Sequence, residues 1–497
     1  MKSMKIWLAI SVALVCSGAF ADWSWAGKTG SVTIPSGTTA TVADGDVATV
    51  AALTAIEIED GATLSFVNTA NRCVLSADLS GNGTLNTGDG SPVTFAGDNR
   101  SFTGGMRFTN SKIVVTSRYG LGSATDAGGA TRYVYSDGSY HATARPNADG
   151  LKFQGAGLTN DVGICWYGNR SDSERIWFVD SMSDPLVLNG PFKMNKSGNV
   201  DYVLVGNWIF NGGIGEVAGT PGYTIATGCK AYIREKPVEQ KGSAYRPIQI
   251  LDNAELHMCV GGGTWSTGNF ICGTGTFVCD ADDVIPSPIC GLGQKGNKSG
   301  TIDLNGHNQT TGRLKHPTSD NFIWNPSPGD TGYVCITSAA PATLTMTSDT
   351  STTNFAGRFS GYASLAKTGT APLFTFVNQY SDTRGTLSVS QGAVKFLWGA
   401  GWGGDIALSG TGKAIFEDPC PANRPKTATG AVTLADSAKL VVSNGVRYCC
   451  ASLSLGGQEI PDGLYTATQL NALVSGSWIE GGGMVSVGRP GLVITFR

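Results

Sequence analysis

The stretch that most restricts what this chain can become is Leu79 to Val115, LSGNGTLNTGDGSPVTFAGDNRSFTGGMRFTNSKIVV. Apolar pairs such as Leu79 and Leu85, Val93 and Phe95, Met106 and Phe108, and Ile113 and Val115 are broken every few residues by Gly, Asn, Asp or Ser. That pattern specifies brief strands joined by tight turns. Period-two snippets (VTI, TATV, AIEI, TLSF, KIVV, LSVS, KLVV) recur along the chain, and windows with apolar residues at helical spacing are almost absent after the first twenty residues. Between Asp22 and Ala70 the strand signals follow one another so closely that no helix is expected between them. Strands this short cannot each build a sheet of their own. Stacking coil upon coil lets each strand pair with its equivalent one turn away, with the inward residues forming a continuous core. Coils of roughly 20–30 residues stacked at about 4.8 Å would give a rod of about 75–115 Å.

The fold class expected is therefore all-β, a right-handed single-stranded parallel β-helix, or β-solenoid, with a small C-terminal cap. Composition agrees: 69 of 497 residues are Gly, 41% are hydrophobic and only 15% are charged, which supplies a core but few charges to solvate helical surfaces.

Residues 1–21 read as a signal peptide: Lys2 and Lys5, then the apolar run Ile6 to Val15, then Ala19-Phe20-Ala21 as a cleavage site. Export to the extracellular space or the outer cell surface is the expectation. Cys16 follows Ala13 and Val15, a poor context for lipid attachment, so plain cleavage before Asp22 is favoured. No later stretch is long and apolar enough for a transmembrane helix. Without Lys2 and Lys5 the chain holds 33 basic and 38 acidic residues, with its basic residues scattered singly, so a nucleic-acid partner is not expected.

Residues 22–450 are assigned to the β-helix, with irregular insertions around 130–199 and 234–247, and residues 451–497 to the cap, which holds the one short helix expected, Thr466 to Val474. The motif L-x-G-x-G-T-L from Leu79, followed by Phe95-Ala-Gly97 with Asn99, Phe102-Thr-Gly104 and the YGLGS of Tyr119 to Ser123, returns in variant form. Thr301 to Gln309 (TIDLNGHNQ) is one echo, and Thr353 to Phe396, with Phe355-Ala-Gly357 and Phe359-Ser-Gly361, is another. These residues resemble the autotransporter-associated β-strand repeat of passenger-type parallel β-helices. The resemblance implies a secreted, adhesin-like bacterial surface protein. It stops at the passenger, since no run of alternating strands for a translocator barrel follows. Gly104 and Gly105 are expected to supply positive φ at a corner, and Asn99 to satisfy turn backbone.

Candidate sites are few. Asp280, Asp282 and Asp283, with His307 about one coil later and Arg313 and Lys315 beyond, could in principle serve a polysaccharide lyase or glycoside hydrolase as acid, base and uronate clamp. The spacing matches neither the polygalacturonase nor the pectate lyase pattern, and a solvated corner is the plainer reading. Trp166, Tyr167, Trp177, Trp398 and Trp402 are candidates for stacking on a glycan, against the plainer alternative of core packing. The mature chain has eleven cysteines; most sit in apolar strands as small hydrophobes, and Cys420, Cys449 and Cys450 are the disulfide candidates. His141, His257, His307 and His316 lack metal-ligand spacing, so neither a metal nor another cofactor is expected. The sequence favours a structural or adhesin-like surface protein without catalysis, its partner an extracellular glycan or surface protein. The alternative is a carbohydrate-active β-helix.

Overall fold

The computed structural model describes residues 23–67, 69–88, 91–109, 112–137, 151–155, 157–167, 174–178, 184–195, 201–218, 222–236, 248–262, 270–285, 290–293, 300–312, 314–315, 334–347, 353–370, 372–377, 380–417 and 429–488. Nearly all of the secondary structure is β, arranged as parallel sheets stacked into a β-solenoid.

Short strands alternate between buried and outward residues, as in Thr63–Phe66 and Lys230–Ile233, so each buries one row of side chains inside the coil. The coil length is close to constant at first. Ser31 pairs with Ala55, and Ala55 with Asp78, 24 and 23 residues on. The chain then passes repeatedly through three faces. The first face is a four-stranded sheet from Ser31–Ile34 to Ser101–Phe102, followed after a gap by the long sheet that begins at Thr159–Asn160. The second is an eight-stranded sheet from Thr39–Val42 to Ile214–Ala218. The third is an eleven-stranded sheet from Cys73–Leu75 to Leu314–Lys315, which meets a six-stranded sheet starting at Thr353–Phe355.

The described parts of residues 130–199, expected to leave the rod as insertions, supply regular rungs. Tyr133–Asp137, Gly163–Tyr167 and Phe192–Asn195 follow one another in parallel on the second face. The expectation of no helix before Ala70 is overturned. A 3-10 turn at Asp44–Asp46 runs into a helix at Val47–Ala51, where Val47 and Val50 are buried. This helix packs on Cys73–Leu75 and covers the first strand of the third face, which has no preceding rung among the described residues. The Asp44 carboxylate, accepting from the amides of Ala70 and Asn71, anchors the turn to the next coil.

Inside, like stacks on like. Phe376, Phe396 and Phe416 occupy equivalent positions in successive rungs. Their rings stack at 5.3 Å and 4.7 Å, tilted by only 6° and 9°, and Tyr448 continues the column at 4.4 Å. Buried amides hold the corners. Asn99 accepts from the Leu79 amide and donates to the Gly120 carbonyl, both at 2.8 Å, and so ties three coils together. Gln309, from the TIDLNGHNQ motif, likewise accepts from the amides of Val284 and Ile285 and donates to Ala281. Gly104 is needed for a different reason from the one expected. Neither it nor Gly105 has positive φ; a Cβ on Gly104 would run into the Gly83 carbonyl oxygen of the coil next to it.

At the C-terminal end the parallel order gives way. Gln458–Ile460 and Gly463–Thr466 pair antiparallel with their neighbours. The helix Ala467–Leu473 follows, with Thr466 as N-cap in a reciprocal box with Gln469.

Replacing Phe396 by Ala removes the middle of the aromatic column without changing the backbone pairing. It should destabilise the chain by about 3–5 kcal/mol. Equilibrium urea unfolding of Phe396→Ala beside the parent measures the loss.

Candidate functional site

A group of interacting ionisable side chains lies on the outer side of the long sheet. Three consecutive rungs project Lys230 and Tyr232, then Glu255 and His257, then Thr276 and Val278, because Lys230 pairs with Glu255 and Tyr232 with His257, and these in turn with Thr276 and Val278. In each strand the intervening residues (Ala231, Leu256, Phe277) fill the core, so the polar set is confined to the outside.

His257 is the centre of the group. Its Nε2 lies 2.9 Å from Glu255 Oε2 and its Nδ1 2.9 Å from Asp280 Oδ2, while its ring stacks on Tyr232 at 4.3 Å and 20°. Both carboxylates can be satisfied at once only when both ring nitrogens carry protons, since an ionised carboxylate only accepts. Glu255 also binds Lys230 at 2.7 Å, and Asp280 accepts from Asn305 at 3.0 Å. Burial raises the Glu255 carboxyl, but hydrogen bonds from Lys230 and His257 outweigh it and hold the group below the usual glutamate range. The bond to Glu255 in turn raises Lys230.

Cys259, two residues beyond His257, completes the side-chain types of a cysteine nucleophile with a His and an Asp. The geometry does not suit that chemistry. Asp280 Oδ2, already bound to His257, also takes the Cys259 thiol at 3.6 Å. Burial first, and then the Asp280 charge, push the thiol up to about 11, whereas a nucleophilic cysteine needs a lowered pKa. Among the described residues no group of three or more His, Cys, Asp or Glu side chains is arranged to hold a metal.

The carboxylates singled out in the sequence are divided between two networks. Asp280 faces His257. Asp282 accepts from the Asn308 amide at 2.8 Å and lies 3.4 Å from His307 Nδ1, with both side chains well exposed. Asp283 occupies a corner at φ 52°, its amide donating to the Asn308 carbonyl. Asp282, Asp283 and His307 thus form a turn that joins two coils. Arg313 and His316 lie outside the described residues, and of Lys315 only the backbone is described. Tyr232, Glu255 and His257 were not singled out as a group, although K-x-Y and E-x-H at alternate positions of successive strands carry the signal.

The aromatic candidates separate. Trp402 is fully buried, donates to the Gly385 carbonyl at 3.0 Å and packs 5.1 Å from Phe359, which corrects its assignment as a glycan contact: no sugar can reach it. Trp398 sits in the preceding turn at φ 54°, 36% exposed. Trp166 and Tyr167 lie in the strand Gly163–Tyr167 and Trp177 in Glu174–Phe178; their side chains are outside the described set.

Of the disulfide candidates, Cys449 and Cys450 are adjacent residues of one strand, facing opposite sides, and are not bonded to each other. Cys450 is buried, near the Ser486 carbonyl, and burial pushes it up to about 12. Cys420 lies outside the described residues.

Two outcomes are expected. Glu255 is depressed in the fold, so its contribution is present above the unfolded glutamate value near 4.5 and is lost as pH falls through the lower folded value. Thermal melts from pH 7 to pH 3 should therefore show the parent losing stability below about pH 4.5 more steeply than Glu255→Gln. Iodoacetamide should leave Cys450 unmodified in the native chain and alkylate it after unfolding, as read by peptide mass mapping.

No family model, curated protein or solved structure matches this chain.

Proposed function

We propose that the protein is an exported structural or adhesin-like β-solenoid that works at or beyond the cell surface without catalysing a reaction. The observation that supports this most is the use made of its outward ionisable groups. In the described network Lys230, Glu255, His257 and Asp280 each bind a neighbour on the same or the adjacent coil. A general acid or base must instead present a free proton site to a substrate. These groups reinforce the stack, and the outer surface is left to present shape and scattered aromatics. The apolar start of the chain supports export, and the repeats resembling those of autotransporter passengers support a surface role.

Of the carbohydrate-active alternative, glycan recognition retains support from Trp398, an exposed indole at a turn. The catalytic form has less support, since Asp280 and Asp282 are engaged separately with His257 and His307.

Expressed with its own N terminus in a Gram-negative host, the protein should be recovered outside the cytoplasm and begin at Asp22 by N-terminal sequencing. Beads coated with it should attach to cells or extracellular matrix polymers, and incubation with polyuronate should release no unsaturated or reducing ends. Cytoplasmic retention, or turnover of the polymer, would reject the proposal.

A further inference from the structure

The outward side chains of the long sheet around His257 form one continuous hydrogen-bonded line across four coils. Lys230 binds Glu255 at 2.7 Å, Glu255 binds His257 at 2.9 Å, His257 binds Asp280 at 2.9 Å, and Asp280 accepts from the Asn305 side chain at 3.0 Å. The rungs concerned are consecutive, Lys230–Ile233, Glu255–Met258, Thr276–Cys279 and Gly300–Asp303. At about 4.8 Å per rung the line is about 14 Å long. His257 is its middle member, with only 15% of its side chain exposed. The Tyr232 ring stacks on it at 4.3 Å and 20°, which fixes the plane in which the two nitrogens meet the two carboxylates.

Such a line is complete in one protonation state only. An ionised carboxylate has no proton to donate and a neutral imidazole has one N–H, so without the second proton one ring nitrogen presents a lone pair to a carboxylate oxygen 2.9 Å away. Among the described residues, the other titratable and charged groups on the flanking strands are engaged elsewhere. Lys230 binds Glu255, and the Arg234 guanidinium lies 5.5 Å from the centre of the Tyr232 ring. The Cys259 thiol, in the coil of His257 itself, shares Asp280 Oδ2, and Asp303, one rung beyond Asp280, accepts from the Asn305 amide. Against the effect of burial, hydrogen bonds from Lys230 and His257 hold Glu255 below the usual glutamate range, and the bond to Glu255 raises Lys230. Burial first, and then Asp280, pushes the Cys259 thiol up to about 11. None of these three changes charge between about pH 5 and about pH 8, the range in which histidine ordinarily does.

We propose that His257 is a proton-operated tie between coils, closed as the imidazolium and released on one side when the imidazole is neutral. The folded chain holds a carboxylate acceptor in place for each of the two imidazolium protons, which the unfolded chain does not, so proton uptake favours the closed seam. Its contribution is present at mildly acidic pH and is lost as pH rises through the histidine range. The line is therefore complete in a band bounded below by protonation of Glu255 and above by deprotonation of His257. The tie is a property of the scaffold and stands whether or not the protein is adhesive. In an exported rod it makes these coils answer to the pH outside.

The test is thermal unfolding of the full mature chain from about pH 5 to about pH 9, paired with hydrogen exchange of the strands from Lys230 to Cys279 read by mass spectrometry. His257→Gln keeps a polar side chain that does not titrate. It should melt well below the parent near pH 5.5 and approach it near pH 8.5. Asp280→Asn removes the carboxylate that calls for the second proton and should flatten the pH profile in the same way. After correction for the intrinsic pH dependence of exchange, protection of these strands in the parent should fall by about threefold or more across that interval and stay level in both variants. Circular dichroism establishes that the variants fold; should His257→Gln fail to fold, Asp280→Asn and the parent's own exchange profile decide the matter. His307, 3.4 Å from Asp282, is present in every chain compared and cancels from the difference. A melting difference between parent and His257→Gln that is constant with pH or larger at the alkaline end would overturn the tie, as would parent protection that does not change.

Discussion

Everything in this fold depends on parallel hydrogen bonding between equivalent strands of successive coils. A strand of three to five residues has too little area to hold a sheet by itself, but pairing above and below satisfies its backbone and repeats its side-chain order at about 4.8 Å. In-register repetition is favourable inside, where identical aromatic rings stack as Phe376, Phe396 and Phe416 do. It also dictates the corners. The chain must turn with its backbone close to the coil below, which excludes a side chain at Gly104 and calls for amides such as Asn99 and Gln309 to bond across coils. The same pairing leaves open edges at the ends. At the start, Trp25 is buried with its indole donating to the Thr41 carbonyl, and at the finish antiparallel strands and a short helix replace the repeating coil.

On the outside, the same repetition is unfavourable for charge. Identical ionised groups a rung apart would repel; where Lys413 and Lys439 fall in register Glu480 lies between them, at 3.7 Å and 3.9 Å, and elsewhere the residue type changes from coil to coil. Thr33 bonds Glu57, Lys230 bonds Glu255, and His257 reaches Asp280 on the coil beyond. Carboxylates, a histidine and a cysteine thus collect on one surface because the sheet brings alternate residues together there. That they resemble a catalytic set in composition follows from stacking, and the distances show their hydrogen-bonding capacity turned toward one another.

The architecture was legible in the sequence because each coil repeats the same local physics. The spacing of Leu79, Val93 and Phe102 among turn residues carries it, and TIDLNGHNQ marks a corner without any knowledge of its neighbours. Details that depend on an adjacent coil were not legible. Gly104 reads as a turn glycine until the Gly83 carbonyl is seen against it. Val47 to Ala51 reads as β by its valines and threonine, but at the start of the third face no earlier strand among the described residues is present to pair with, and a helix covers the edge. Trp402 in its Gly-rich setting suits either a glycan contact or core packing, and it is buried, because its strand turns the indole inward onto Phe359. The His257 network is made by residues more than twenty positions apart, so it appears only once the register of the coils is known.

Register also separates scaffold from function on the surface. Where an outward column alternates in charge or pairs across rungs, stacking alone accounts for its residues, and their chemistry is consumed by the rod. Lys230 with Glu255 and His257 with Asp280 are such pairs. Tyr133 lying over Gly163 belongs to the same logic, since a glycine inside a strand weakens it and here makes room for a ring on the outer face, which the Lys193 ammonium reaches at 4.4 Å.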